Sequence, residues 1–205
     1  MQAEFGIIRL DLLFEIISGI IALMVTYYAT KAYRLTGQRR LSDLSTGFLV
    51  LSAGMFGRVI GTWYFLAREP SNVVFGIVTV AYGVSRIMAY IIFIVSTRPA
   101  HREPQVQETA GISMLLMATF LVDPSLEIIA ILVLVVVVLQ AILNYMTTRS
   151  KFARYVLVGF VLILMSHIMM AQVIVAPGLY LLSQGAQLLG FLSLLVMLYQ
   201  AGRNV

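Results

Sequence analysis

The sequence predicts an all-α, polytopic membrane protein with seven transmembrane helices. The first observation is composition, since 60% of the 205 residues are hydrophobic and only 11% are charged. The second is arrangement: the apolar residues form blocks of about 20, the length that crosses a bilayer as a helix, without the alternation of a transmembrane barrel. Because backbone polar groups in lipid must pair within each segment, every block is predicted to be a helix.

Seven apolar segments follow one another along the chain. They cover about residues 7–30, 44–67, 72–97, 106–122, 124–147, 153–176 and 178–200. The longest connection is the stretch around STRPAHREPQVQE, between the third and fourth segments, so we expect a single membrane domain over residues 1–205. The first segment is long enough to span and lacks the positive start of a signal peptide, and it is predicted to remain as an anchor.

Basic residues predict the orientation, because cytoplasmic loops retain Lys and Arg. The predicted cytoplasmic side carries Lys31, Arg34, Arg39, Arg40, Arg98, Arg102, Arg149, Lys151, Arg154 and Arg203, and the other side carries Arg9 and Arg68. We therefore expect a multi-pass protein of the cell (plasma) membrane with its N-terminus outside and its C-terminus inside. The net charge of +5 is explained by these loops, so no nucleic-acid partner is predicted.

The sequence also predicts an internal repeat, because it aligns with itself at a spacing of 112 residues without gaps over residues 11–51. Asp11 and Glu15 in DLLFEIISG align with Asp123 and Glu127 in DPSLEIIAI. Two parallel three-helix repeats follow, related by an axis along the membrane normal. Their predicted limits are about 7–98 for the first repeat, 106–122 for a linker helix and 123–203 for the second repeat.

Seven helices with parallel three-helix repeats and an outside N-terminus resemble the topology of the sugar-transporting SWEET and PQ-loop proteins. That family carries helix-kinking prolines within its repeats, whereas the prolines of this sequence fall at predicted helix ends or in loops: Pro70, Pro99, Pro104, Pro124 and Pro177. The helix count also resembles microbial rhodopsins, whose retinal needs a lysine that the last segment, LYLLSQGAQLLGFLSLLVMLYQ, lacks. The resemblance therefore implies architecture only, and no functional residue is carried over from either family.

Arg58 lies inside the second apolar segment, in the stretch GMFGRVIGTWYF. Gly54 and Gly61 fall on its own helix face, and small residues at this spacing mark helix–helix contacts in membranes. Arg58 is therefore predicted to point into the bundle. Counted at about 1.5 Å per residue from the basic ends of their helices, Arg58 and Glu15 are nearly level, so we expect them to pair.

Arg86 and Glu127 are predicted to form a second intramembrane pair. Arg86 shares a face of the third segment with Tyr82 and Tyr90, and Glu127 is the repeat partner of Glu15. An unpaired charge at the bilayer centre costs several kcal/mol, so each charge should have a partner or a watery cavity.

Three interpretations of these charges stay open. The pairs could serve only to hold the helices in register, with Asp11 and Asp123 capping helix starts at the outer surface. They could instead line a polar cavity that binds a ligand or in which a glutamate shuttles protons. Alternatively, some of the side chains could snorkel to the membrane interface.

His167, in LMSHIMMAQ, is the only histidine in a predicted membrane segment. A hydrogen-bonded bundle histidine is favoured over a proton relay or a haem ligand, because His101 lies in a predicted loop and cannot supply a second axial ligand. Gln184 and Gln187 lie on one face of the last segment and complete the candidate polar site. With no cysteine and no nucleophile–base pair, metal-ligand cluster or phosphate-binding loop, we predict no cofactor, no metal and no enzyme activity.

Three classes of function fit these features. The first is a small-molecule or ion transporter with a central polar site between the two repeats, and it ranks first because such a duplication produces a central site. The second is a receptor or sensor-like module that signals to a separate partner through its basic loops. The third is a non-catalytic subunit of a membrane complex. The predicted partners are membrane lipids, a small-molecule ligand, and a membrane or cytoplasmic protein.

Overall fold

The computed structural model describes residues 2–67, 72–97, 123–173, 176 and 178–203. The helices in these ranges are α1 (Gln2–Thr36), α2 (Arg39–Ala67), α3 (Asn72–Thr97), α4 (Asp123–Thr148), α5 (Lys151–Ala171) and α6 (Leu179–Arg203). Each of these six described helices is long and apolar enough to cross a membrane. The predicted all-helical, membrane-spanning class is thereby confirmed. The predicted segment 106–122 lies outside the described residues.

The six described helices form a closed ring in chain order. Each helix packs against its neighbours in sequence, and α6 packs back against α1. Two-residue turns join α1 to α2 and α4 to α5, and turns this short make the joined helices antiparallel neighbours. In the first turn, Gly37 has a φ of 68° and donates its N–H to the Tyr33 carbonyl at 2.8 Å. This left-handed cap stops α1 and reverses the chain.

Three glycines on one face of α2 let α3 approach closely. Gly47, Gly54 and Gly61 are spaced seven residues apart, so they lie along one side of the helix. A Cβ at these positions would lie 2.4 Å from Phe93, 2.8 Å from Ser85 and 2.7 Å from Val78, respectively. The face of α2 that carries Gly54 and Gly61 is therefore packed against another helix, as the small residues predict.

An aromatic layer, formed by Phe48, Phe93, Phe160 and Phe191, fills the core between α2, α3, α5 and α6. All four side chains are fully buried. Their ring centroids lie 4.8 Å apart for Phe48 and Phe93, 5.4 Å for Phe93 and Phe160, and 5.8 Å for Phe48 and Phe191. These separations are those of attractive aromatic pairs, so the layer joins four helices into one packed core.

Four helix ends differ from the predicted segments by five residues or more. Two of them flank the first turn, where α1 ends at Thr36 rather than at 30 and α2 begins at Arg39 rather than at 44. The first helix begins at Gln2 rather than near residue 7, because helical hydrogen bonding continues through polar residues beyond the apolar block. Asp11 consequently lies well inside α1, and the prediction that it caps a helix start is wrong. Helix α5 ends at Ala171 rather than at 176. The N–H groups of Gln172 and Val173 bond carbonyls three residues back, so the chain forms a turn there.

Candidate functional site

The first charged cluster consists of Asp11, Glu15, Arg58 and Tyr180, and it joins α1, α2 and α6. Arg58 donates from Nη1 to Glu15 Oε1 and from Nη2 to Asp11 Oδ2, each at 3.1 Å. The Tyr180 hydroxyl donates to Asp11 Oδ1. The Glu15 side chain is only 3% exposed, whereas those of Asp11 and Arg58 are 16% and 26% exposed. Arg58 therefore contacts Glu15, as the matching depth of the two residues predicts. It also contacts a second acid, Asp11.

The second charged cluster consists of Arg86, Glu127, His167 and Tyr90, and it joins α3, α4 and α5. Arg86 Nη2 donates to Glu127 Oε2 at 2.8 Å. His167 Nδ1 lies 2.5 Å from Glu127 Oε1, and the Tyr90 hydroxyl lies 2.6 Å from His167 Nε2. His167 and Tyr90 are buried, so their polar atoms depend on these contacts.

The contacts of His167 favour one of its two neutral tautomers. Its Nδ1 also lies 2.6 Å from Arg86 Nη2, and one nitrogen cannot both donate to Glu127 and accept from Arg86. Arg86 already has Glu127 Oε2 as an acceptor, whereas Glu127 Oε1 has no other donor among the hydrogen bonds of the described chain. With the proton on Nδ1, His167 donates to Glu127 Oε1 and its Nε2 accepts from Tyr90. This is the hydrogen-bonded bundle histidine that the sequence favours.

Tyr82 connects the two clusters. The Cζ atoms of Arg58 and Arg86 each lie 5.1 Å from the centroid of its ring, within the range of a cation–π contact. The side chain comes from α3 and is buried. The two clusters therefore form one polar layer, in which every one of the six described helices contributes a side chain.

A cavity of about 240 Å³ adjoins this polar layer. Its wall consists of Arg58, Thr79, Tyr82, Gly83, Arg86, Leu126, Glu127, Ala130 and Met170. A smaller space of about 20 Å³ is lined by Arg58, Tyr82, Arg86, Glu127, Ser166, His167, Met170, Ser183, Gln184 and Gln187. One water needs roughly 10–15 Å³, so the larger cavity has room for several waters or a small solute.

The structure brings the predicted site residues together. Glu15 reaches the cavity wall through Arg58, Tyr90 reaches it through His167, and the other predicted residues line one or both spaces: Arg58, Tyr82, Arg86, Glu127, His167, Gln184 and Gln187. Sequence reasoning did not include Asp11 in the site. The signal for it was present, because Asp11 lies four residues before Glu15 and therefore on the same helix face.

The fold and this polar layer define the chain as an integral membrane protein of the all-helical, multi-pass class. The model of a family of unknown function, DUF7521, matches residues 12–93. This match runs from α1 into α3 and covers less than half of the chain. Comparisons with curated proteins and with solved structures find no match.

Proposed function

We propose that the protein transports a small solute or ion across the membrane, and that the 240 Å³ cavity between two three-helix units is its substrate site. The observation that carries this proposal is the cavity wall, where Arg86 and Glu127 lie beside the ring of Tyr82. Charged groups inside membrane-spanning helices are costly and usually mark substrate or ion pathways. A wall with both charges and an aromatic face offers a solute several polar contacts.

The turns between helices support two equivalent units. At the 112-residue spacing Gly37 corresponds to Arg149, whose φ is also positive at 46°. Each donates its N–H at 2.8 Å to an equivalent tyrosine carbonyl, that of Tyr33 in the first unit and of Tyr145 in the second. Positive φ is uncommon for a residue other than glycine, so the shared cap favours a common origin of the turns. The family match to residues 12–93 covers one such unit.

The order of the helices fits the same symmetry. If α1, α2 and α3 are exchanged with α4, α5 and α6, respectively, each contact between neighbouring helices coincides with another contact of the ring. Equivalent glycines also lie at the closest approach in each unit, since a Cβ at Gly47 would meet Phe93 of α3 and one at Gly159 would meet Leu194 of α6. Parallel repeats related in this way place a substrate site at their interface, and the cavity receives side chains from both units.

The aromatic layer supports a barrier on one side of the cavity. Along α2, which starts at a basic turn, Phe48 precedes Arg58, and along α3, which runs the other way, Phe93 follows Arg86. The rings therefore lie between the charged clusters and the end of the bundle that carries the basic turns. Because buried apolar constrictions exclude water and ions, we assign this conformation as closed toward that end, one of the two states that alternating access requires.

The cavity restricts the class of solute. At about 240 Å³ it is smaller than the roughly 300–1,000 Å³ of pockets for drug-sized ligands, which favours a compact solute. Arg86 and Glu127 balance each other in its wall, so a solute without net charge costs least to bind there. We therefore propose a small polar or zwitterionic molecule as the substrate.

The test is a two-step search for that solute. Small amino acids, sugars and inorganic ions are first screened for thermal stabilisation of the purified protein, because a ligand of the folded state raises its melting temperature. Uptake of any stabilising compound is then measured in proteoliposomes. We expect Arg86→Gln and Glu127→Gln to abolish uptake. The matched control Arg154→Gln removes an exposed charge from the basic end and should leave uptake unchanged.

Two results would contradict the proposal. If uptake persists in both Arg86→Gln and Glu127→Gln, the cavity is not the substrate site. Failure of every solute to be taken up, together with capture of a cytoplasmic transducer by the basic loops, would favour the receptor interpretation instead.

A further inference from the structure

The three carboxylates of the polar layer differ in how their oxygens are satisfied. Asp11 and Glu127 each have a donor on both oxygens, and Glu15 has Arg58 on Oε1. The remaining oxygen, Glu15 Oε2, is buried and has no hydrogen-bond partner among the residues that the structure describes. A buried polar atom without a partner carries a desolvation cost that folding does not recover. This one oxygen therefore stands apart from the other five.

The charges of the two clusters differ in the same way. The second cluster pairs one cation, Arg86, with one anion, Glu127, so its charges cancel when His167 is uncharged. The first cluster places two carboxylates, Asp11 and Glu15, around the single guanidinium of Arg58. If all three groups are ionised, that cluster holds one uncompensated negative charge inside the membrane, where such a charge is strongly disfavoured.

We infer that Glu15 is an exchangeable proton site, with the proton on Oε2. Binding one proton forms a single O–H bond, brings the cluster to zero net charge and changes Oε2 from an acceptor without a donor into a donor. Three residues further along the same face of α1, the Ser18 hydroxyl is also fully buried and unpartnered within the described chain. Ser18 Oγ can accept this new hydrogen bond through a water or after a small rotamer change. Release returns the proton to solvent water at the partly exposed side of the cluster, where Asp11 lies beside Glu15.

The surroundings of Glu15 select it over Asp11. Arg58 of α2, Tyr82 of α3 and Tyr180 of α6 face Glu15, together with Asp11 on its own helix. Asp11 accepts from both Arg58 and Tyr180, and hydrogen bonds to a carboxylate favour its ionised form. Glu15 accepts from Arg58 on Oε1 alone, the Tyr82 side chain lies beside it without bonding Oε2, and its ionised neighbour Asp11 repels a second negative charge. The proton consequently binds Glu15.

Protonation of Glu15 also changes the cavity wall. A neutral Glu15 holds Arg58 less strongly than a carboxylate does, because charge-assisted hydrogen bonds are about twice as strong as neutral ones. Since Arg58 lines the cavity, its guanidinium then becomes available to a negative group on a solute. As a coupling step this role rests on the proposed transport function, whereas the proton site itself does not.

Infrared difference spectroscopy at varied pH tests the proton site on the full-length protein in lipid. We expect a carbonyl band of a protonated carboxylic acid that titrates between mildly acidic and mildly alkaline pH in the wild-type protein. Glu15→Gln, which mimics the protonated form in shape and charge, should lose this band. The matched variant Glu127→Gln removes the equivalent acid of the other unit and should keep it.

A second variant covers the case in which Glu15→Gln does not fold. Asp11→Asn removes the repelling charge and leaves Glu15 alone with Arg58, so its titrating band should move to lower pH. A band that survives Glu15→Gln, a band unmoved in Asp11→Asn, or no titrating band in the wild-type protein would each overturn the inference. Measuring proton uptake into proteoliposomes separates the proton site from the transport proposal. A titrating band without proton uptake supports the proton site and contradicts proton-coupled transport.

Discussion

Arg58 is the residue on which the first charged cluster depends. It donates to both Asp11 and Glu15 and contacts the ring of Tyr82, so it links three helices. The residue 112 positions later is Met170, which lines the same cavity without a charge. In the predicted repeat the charge therefore belongs to the first unit only, and Glu127 of the second unit is paired with Arg86 of α3, which is also in the first unit.

Replacing Arg58 by methionine, the residue of the equivalent position, should destabilise the protein by about 3 kcal/mol, because removing one partner of a buried pair leaves an uncompensated charge. The measurement is the free energy of unfolding in mixed micelles. Arg154→Met, at an exposed position, is the control and should have little effect. Adding Glu15→Gln to Arg58→Met should recover part of the loss. Equal stability of Arg58→Met and the wild-type protein would show that the acids are satisfied in another way.

Single hydrogen bonds connect the second cluster in a chain. The bonds run from Tyr90 to His167, from His167 to Glu127 and from Arg86 to Glu127. Buried networks of this kind are stabilising only when every member is satisfied. In the second cluster each of these polar groups has a partner, whereas the first cluster leaves one oxygen of Glu15 without a partner among the described residues.

At the scale of helices, close packing of α2 on α3 brings Arg58 to the ring of Tyr82, which Arg86 of α3 also contacts. The glycines of α2 allow this approach, and the geometry of the polar layer depends on it, because a shift of either helix would separate the Arg58 guanidinium from the Tyr82 ring. Gly57 differs from the glycines of the contact, since nothing lies within 4 Å of a Cβ built there.

Alanine substitution should separate these two kinds of glycine. Gly47→Ala places a methyl group 2.4 Å from the buried ring of Phe93, and such overpacking typically costs about 1–3 kcal/mol. Gly57→Ala should instead be neutral, or stabilising by roughly 0.5–1 kcal/mol, because alanine favours the helix. Thermal unfolding of the two variants side by side provides the comparison. If Gly47→Ala melts like Gly57→Ala, the α2–α3 contact is looser than described.

At the scale of the whole molecule, ring closure by α6 against α1 makes the polar layer continuous. Tyr180 of α6 reaches Asp11 of α1 only because the last described helix returns to the first. The basic turns lie together at one end of this bundle, and the orientation with that end in the cytoplasm stays a prediction from the distribution of Lys and Arg.

The absence of cysteine from the sequence allows a clean labelling test of orientation. Gln38 lies in the exposed turn at the basic end, and Gly178 lies in an exposed turn at the opposite end. A membrane-impermeant maleimide should label Gly178→Cys on intact cells and should label Gln38→Cys only after the membrane is permeabilised. The reverse pattern would invert the predicted topology, and labelling of both sites on intact cells would rule out a single orientation.

The sequence by itself determined the class of protein and the identity of most residues of the polar layer. Bilayer thickness dictates the length of each apolar block, so six described helices lie where hydropathy placed them. The cost of burying charge marks Glu15, Arg58, Arg86 and Glu127 as residues that need partners. Helical periodicity also placed Gly54 and Gly61 on the face of α2 that is packed against another helix.

Only the tertiary structure decided how those residues are paired. The relative rotation and depth of two helices depend on packing between segments far apart in the chain, and hydropathy carries no information on either. Arg58 therefore acquired Asp11 as a second acid, and His167 closed a network with Tyr90. The same packing left one oxygen of Glu15 without a donor among the described residues. That difference between two glutamates of a predicted repeat arises because their surroundings are built by different helices.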